Sequence, residues 1–149
     1  SPMFSIASQY LKAVFNSSEV FELKDQFDGN IEIGTLSKWN FLPNWSIEKL
    51  QGKIDLFVNF ISFQEMEPEI VKNYAYHIQR LDPEFLLLRN LREGKQKANG
   101  NRVGVKNPII AKDYLVFFDK YKVRELNVFP FGHRTADGFN SELMIMEKK

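Results

Sequence analysis

The chain contains no cysteine, which excludes a disulfide framework and thiolate chemistry and fits a reducing compartment. Histidine is nearly as scarce: His77 and His133 are the only two, far apart, with no H-x-x-x-H pair and no matched carboxylates, so no metal site is expected. Charge of one sign is also lacking. With 20 Lys+Arg against 19 Asp+Glu, the net charge is +1, and the whole-chain balance gives no electrostatic reason to expect nucleic acid or an anionic membrane as partner. No apolar stretch approaches the roughly 18 residues of a membrane span, and the start lacks a charged segment followed by an apolar core. A cytoplasmic protein is the expectation. The eight glycines form no G-x-G-x-x-G, and no G-x-S-x-G elbow or credible triad accompanies them, which puts hydrolase chemistry last.

What is present suits one ordinary globular domain spanning 1–149: 149 residues, 44% hydrophobic and 26% charged, enough chain to bury a sizeable core. Ser1-Pro2 precede Met3 and helical spacing begins almost at once, which reads as a piece of something longer. Phe4, Ala7, Tyr10, Leu11, Val14 and Phe15 recur at the spacing of one buried helix face. Val20–Leu23 reads as a short strand, Asp28-Gly29-Asn30 as a turn, and Ile31–Leu36 as a strand interrupted by glycine. Trp39–Trp45 reads as an aromatic connection, with Trp39, Phe41 and Trp45 either core or a stacking surface for a sugar. One helical turn at Ile47–Leu50 follows it.

The segment DLFVNFISFQEM (55–66) starts as an apolar run with little alternation and turns abruptly polar. Such a run suits a strand buried on both faces, here Ile54–Ile61. A helix over 68–81 follows, with Pro68 in its first turn and Ile70, Val71, Tyr74, Ile78 and Leu81 on one face. Phe85–Leu88 is a second buried strand. Residues 89–107 are basic, with Arg89, Arg92, Lys95, Lys97, Arg102 and Lys106 against a single Glu93, and read as a mobile loop. A helix over 111–121 and strands over 123–129 and 139–146, the last two an antiparallel pair, complete the chain.

Helices alternating with buried strands imply an α/β fold: a mostly parallel sheet with right-handed crossovers, helices on both faces and a C-terminal antiparallel strand pair. Ligands of such sheets collect beyond the carboxyl ends of the strands, which makes Asn59–Glu65, Asn90–Arg92 and His133 candidates for one rim.

A parallel sheet that ends in strand, helix and a long antiparallel pair is similar to the second half of the class I S-adenosylmethionine-dependent methyltransferase fold, a Rossmann-like fold. More narrowly, QYLKAVF, DLFVNFISFQEM and FLLLRN resemble segments of the sugar O-methyltransferase family of bacterial surface-polysaccharide clusters, over about Ile6–Lys149. The family's glycine-rich turn after its first strand and acidic residue after its second are both absent. The resemblance therefore implies the carboxyl-terminal part of a methyltransferase, with the first two strands missing and little activity alone. It implies S-adenosylmethionine as the donor, with Asn59, Phe60 and Ser62 toward the cofactor. The acceptor is a sugar, nucleotide-sugar or polysaccharide oriented by Gln64, Asn90, Arg92 and His133, and Glu65 takes the hydroxyl proton.

Each of these residues has a structural reading beside the chemical one. Ser62 and Glu65 have the S-x-x-E spacing of a capping box. Asn59 and Asn90 can serve as strand-end hydrogen bonds within the protein. His133 also reads as an exposed loop histidine, His77 as structural. The basic loop either clamps a diphosphate or is solvated. The rival to an enzyme is a non-catalytic interaction module that dimerises, or binds a partner, through an uncovered sheet edge.

Overall fold

The computed structural model describes residues 2–15, 17–23, 27–127, 133–136 and 138–149, with the side chains of 2–4 excluded. Residues 128–132 and 137, which hold the end of the strand expected at 123–129 and part of the turn that follows it, and the Phe4 side chain thus lie outside the described residues. The chain is mixed α/β and divides into two compact units, 1–53 and 54–149.

The first unit opens with α1 (Pro2–Val14) and contains β1 (Val20–Glu22), β2 (Ile31–Glu32), β3 (Trp39–Phe41) and β4 (Leu50–Gln51). β1 pairs in parallel with β3, and β2 with β4. Trp39–Phe41 is thus a strand rather than a connection, and the strand expected at 31–36 turns into a 3-10 helix at Ile33–Thr35. The expected apolar face of α1 stays largely open, with Tyr10 66% and Val14 54% exposed. Among its described side chains the buried one is Ser8, whose hydroxyl donates to Glu22 Oε2 at 2.8 Å beside an equally short ion pair from Lys12. Phe15 stacks on Trp39 with ring centroids 4.4 Å apart.

The second unit holds β5 (Leu56–Phe60), α2 (Pro68–Arg80), β6 (Phe85–Leu91), α3 (Ala111–Phe117), β7 (Tyr121–Asn127) and β8 (Ser141–Lys148). One four-stranded sheet has the order β5-β6-β8-β7. β5 and β6 are parallel, and β8 runs antiparallel to both β6 and β7, so β7 shares the direction of the first two. The expected closing antiparallel pair is present, with its last strand inserted between β6 and β7.

Register sorts the side chains. Phe57 and Asn59 of β5 lie beside Leu86 and Leu88 of β6, which face Met146 and Met144 of β8. This face takes the helices: Phe63 bridges from Phe57 to Tyr74 of α2 and Tyr114 of α3 by ring contacts near 6 Å. From α2 it receives the buried Val71, Ala75 and Ile78, while Ile70, expected on this face, is 47% exposed. Val71 and Ile78, fully buried, contribute about 1.5–3 kcal/mol each. Gln79 ties α2 to the end of α3, donating to Phe117 O and accepting from Lys120 N.

Within this unit both helices therefore lie on one side of the sheet, not on two. The opposite face carries Leu56, Val58 and Phe60 beside Phe85, Leu87 and Arg89. The apolar run of β5 is continuous because one face packs on helices while the other stays 46–52% exposed at Leu56, Val58 and Phe60, not because both faces are buried. α2 starts at Pro68, whose missing N–H would be unpaired there in any case. It ends before Asp82, held at φ 53°, with Pro83 preventing continuation. Among the described residues no helix is long and apolar enough to cross a membrane.

Candidate functional site

β5 and β6 are parallel neighbours, so their carboxyl ends reach one rim together. Ile61 N donates to Arg89 O at 2.7 Å, and Ile61 then turns the chain at φ 61°. A β-branched residue in the left-handed region costs about 1–3 kcal/mol, and strain of this kind collects at functional sites. The 3-10 turn Phe63–Glu65 follows and folds back over the end of β6.

Three carboxamides hold that turn. Asn59, Gln64 and Asn90 are each buried. Asn59 Oδ1 accepts from Phe63 N at 3.3 Å and from Asn90 Nδ2 at 3.2 Å, while Asn59 Nδ2 donates to Ser62 Oγ. Asn90 Oδ1 accepts from Gln64 N at 3.3 Å, and Gln64 Oε1 accepts from Leu91 N at 2.7 Å. Gln64 Nε2 donates to Glu65 Oε1 at 3.1 Å. The two asparagines that end neighbouring strands are thus bonded to each other, and the amides join strand end, turn and strand end in one buried network. Satisfied networks of this kind rigidify what they connect.

The capping box expected of Ser62 and Glu65 does not form. Ser62 Oγ is taken by Asn59, and α2 begins after Glu67 with no side-chain cap of its own. Glu67 reaches out instead: its carboxylate accepts from Lys106 N at 2.7 Å and Asn107 N at 3.1 Å, which fastens the basic segment to the start of α2. Those bonds and the charge of Lys106 hold Glu67 below the ordinary carboxylate range.

Glu65 is exposed at the rim and accepts from Lys95 Nζ at 2.9 Å. Partial burial pushes its carboxyl up, but the bonds from Lys95 and Gln64 and the Lys95 charge outweigh that and leave it lowered. Glu65 is therefore ionised at neutral pH, as a general base must be, though its proton affinity is reduced by the same partner.

The remaining candidates lie in two other groups. Arg92 pairs with the adjacent Glu93 at 3.0 Å, and Glu93 also accepts from Asn140 N at 2.7 Å and Asn140 Nδ2 at 3.0 Å. His133 Nδ1 lies 3.4 Å from Arg89 Nη2, and Arg89 Nε donates to Ser141 Oγ at 3.2 Å. Phe60 is 52% exposed on the sheet face of Arg89, opposite to that of Asn59. Asn59, Ser62, Gln64, Glu65 and Asn90 are thus brought together, while Phe60, Arg92 and His133 stand apart from them. His77 lies in the last turn of α2, at the end of the helix remote from the rim. Trp39 and Trp45 belong to the first unit, where Trp39 stacks on Phe15 and Lys49 lies over the Trp45 ring.

The segment expected to be a mobile loop is closed on itself. Ala98 N donates to Val105 O and Val105 N to Gln96 O, and Gly104 sits so close to Gln96 O that a Cβ would stand 2.3 Å from it. Lys97, Asn99 and Arg102 border a cavity of about 550 Å³ there. Among the described residues no group of three or more His, Asp or Glu side chains is gathered as for a metal ion.

Sequence reasoning missed Lys95 as the partner of Glu65, because an ion pair across 30 residues leaves no local pattern. It also missed Glu142, a buried carboxylate for which a signal existed: it shares strand parity with the buried Met144 and Met146. No family model and no curated protein matches the chain.

Proposed function

We propose that the chain is part of an enzyme that transfers a methyl group from S-adenosylmethionine to a sugar hydroxyl. The observation that carries this reading is the element order of the second unit: parallel β5 and β6 ending at one polar rim, then helix α3, then the long antiparallel pair β7–β8. That order supports a reading as the second half of a class I methyltransferase, although both helices of the unit lie on one face of its sheet. The strained Ile61 and the amide network at the same strand ends add support, since pre-organised strand ends are where such sheets hold ligands.

In-line methyl transfer needs the two reactants held together and a base for the hydroxyl proton. Glu65 would supply the base, taking the acceptor O–H proton on its carboxylate, while the donor would supply the methyl group and leave as S-adenosylhomocysteine when its S–CH3 bond breaks. Lys95 lowers the proton affinity of that carboxylate further. The buried amides position the turn that presents Glu65 and Ser62, rather than meeting the ligands with all their polar atoms. Arg92 and His133, which stand apart from the amide network, are assigned to more distant parts of an anionic or hydroxylated acceptor. The glycine-rich turn and ribose-binding acid that a complete cofactor site needs are not in this sequence, so the chain contributes one side of that site.

The test is amide NMR with S-adenosylhomocysteine at millimolar concentration. Shifts centred on Phe60–Ser62 and Asn90, with a Kd near about 1 mM or a binding free energy near about −4 kcal/mol, are expected. Saturating ligand without shifts at these residues overturns the assignment.

A second reading, an interaction module that pairs with a second copy of itself, is favoured by β5. It is an edge strand with Leu56, Val58 and Phe60 about half exposed, and such edges are templates for pairing. Sedimentation velocity distinguishes it: a dimer that Val58→Lys converts to monomer supports the module, and a clean wild-type monomer discards it.

A further inference from the structure

One acidic residue of the second unit is largely buried and makes no side-chain hydrogen bond or ion pair among the described residues. Glu142 of β8 lies opposite Asn90 of β6, on the helix-covered side of the sheet, and is 9% exposed. Among the described residues neither a hydrogen bond nor an ion pair engages it. Arg92, whose charge reaches it, is held by Glu93 at 3.0 Å. The Tyr114 hydroxyl is fully buried and has no hydrogen-bond partner. Glu142 and Tyr114 border the same small void, and this shares Ala111, Glu142 and Met144 with a groove of about 340 Å³ walled by Ile110, Leu115, Val123 and Leu126.

A buried carboxylate without a partner is costly, and the cost is removed by keeping the proton or by admitting a cation with N–H donors. Burial pushes the Glu142 carboxyl up, against the pull of Arg92 and with the push of Glu93. The groove beside it is of the size and apolarity that hold a small organic body, with few polar groups to orient it. Two cations also border the groove: Lys112, whose side chain is in water, where its charge is screened, and Arg92, which is paired with Glu93.

We propose that this groove binds small primary amines carried on an apolar, ring-sized body. The body lies against Ile110, Leu115, Val123 and Leu126, and the ammonium group donates to the Glu142 carboxylate and the Tyr114 hydroxyl oxygen. The site adjoins the rim network at Asn90, which borders the small void, and at Arg92, which borders the groove, but it does not depend on methyl transfer, so its test contains no S-adenosylmethionine.

The test titrates the chain, by amide NMR at pH 7, with 2-phenylethylamine, 2-phenylethanol and 3-phenylpropanoate. The amine is expected to shift Ala111, Leu115, Leu126 and Met144 and to bind at least fivefold more tightly than either analogue. Glu142→Gln should remove that preference while leaving binding of the alcohol unchanged. Leu126→Trp, which fills the groove and leaves the carboxylate in place, should abolish binding of all three and so guards against a folding defect in the first variant. Equal affinity for amine and alcohol, tighter binding of the carboxylate, shifts centred elsewhere, or amine preference retained in Glu142→Gln would each overturn the assignment.

Discussion

Replacing Asn90 by alanine tests whether the rim amides act as a structural clasp. The substitution removes the bond from Asn90 Nδ2 to Asn59 Oδ1 and strips Gln64 N of its acceptor. Asn59 Oδ1 keeps Phe63 N, so its loss is partial. One lost hydrogen bond is worth about 1 kcal/mol and a buried amide left unpaired about 1–3 kcal/mol, which together give roughly 2–4 kcal/mol. Asn90→Asp is the informative companion. Its carboxylate still accepts from Gln64 N but opposes Asn59 Oδ1, so it should be destabilised at neutral pH and recover as acid protonates the new group. The readout has to come from the second unit, and both tryptophans, Trp39 and Trp45, lie in the first. Amide hydrogen exchange at Phe63, Gln64 and Leu91 reports the clasp directly, and exchange at the buried Tyr114 and Tyr121 reports the surrounding core. If Asn90→Ala leaves the opening free energy at Gln64 and Leu91 within about 0.5 kcal/mol of wild type, the magnitudes above fail and the amides are not what holds the turn.

Other outcomes follow from the same geometry. Gly104→Ala would place a Cβ against Gln96 O and Ala98 N, both backbone atoms, so exchange protection at Ala98 and Val105 should be lost; retained protection refutes the close approach. Glu93 is pushed up by burial, but the bonds from Asn140 and Arg92 prevail and lower it from 4.5 to about 2. Its stabilising contribution is therefore complete above pH 4.5 and is lost as pH falls toward 2; Glu93→Gln should flatten the stability curve in that window, and parallel curves count against the pairing. Tyr121, buried, near Asp82 and bonded to Pro83 O, is raised from 10.0 to about 12. Wild type should lose stability as pH rises from 10 toward 12, and Tyr121→Phe should lose less. Lys95→Met removes the cation that lowers Glu65, so the Glu65 carboxyl measured by carbon NMR titration should move up; an unmoved carboxyl refutes the ion pair.

Much of the second unit was legible because long apolar periodic segments leave little choice. α2, the β5 and β6 runs and the closing antiparallel pair follow from 3.6-residue and 2-residue spacing. The two-sided burial of β5 was misread for a physical reason: a continuous apolar run records that no position is polar, not which side is covered. The exposure of Leu56, Val58 and Phe60 depends on what packs against them, which no local window contains. Two-residue strands such as Ile31–Glu32, stabilised by pairing across the chain, have no period to detect. The S-x-x-E spacing was real, but Asn59 outcompeted the helix for the Ser62 hydroxyl. The gathering of Asn59, Glu65 and Asn90 at one rim followed from strand order alone; the bond between the two asparagines and the partnership with Lys95 needed coordinates.

The insertion of β8 between β6 and β7 bears on how the molecule is made. A ribosome delivers β6 and β7 well before residues 141–148, so each must wait with bare backbone donors and acceptors on the side that β8 later occupies. The growing polypeptide passes through a stage in which the middle of its largest sheet is a slot. A synthetic peptide spanning 141–148, supplied during refolding of a chain that ends before it, would be expected to fill that slot from outside.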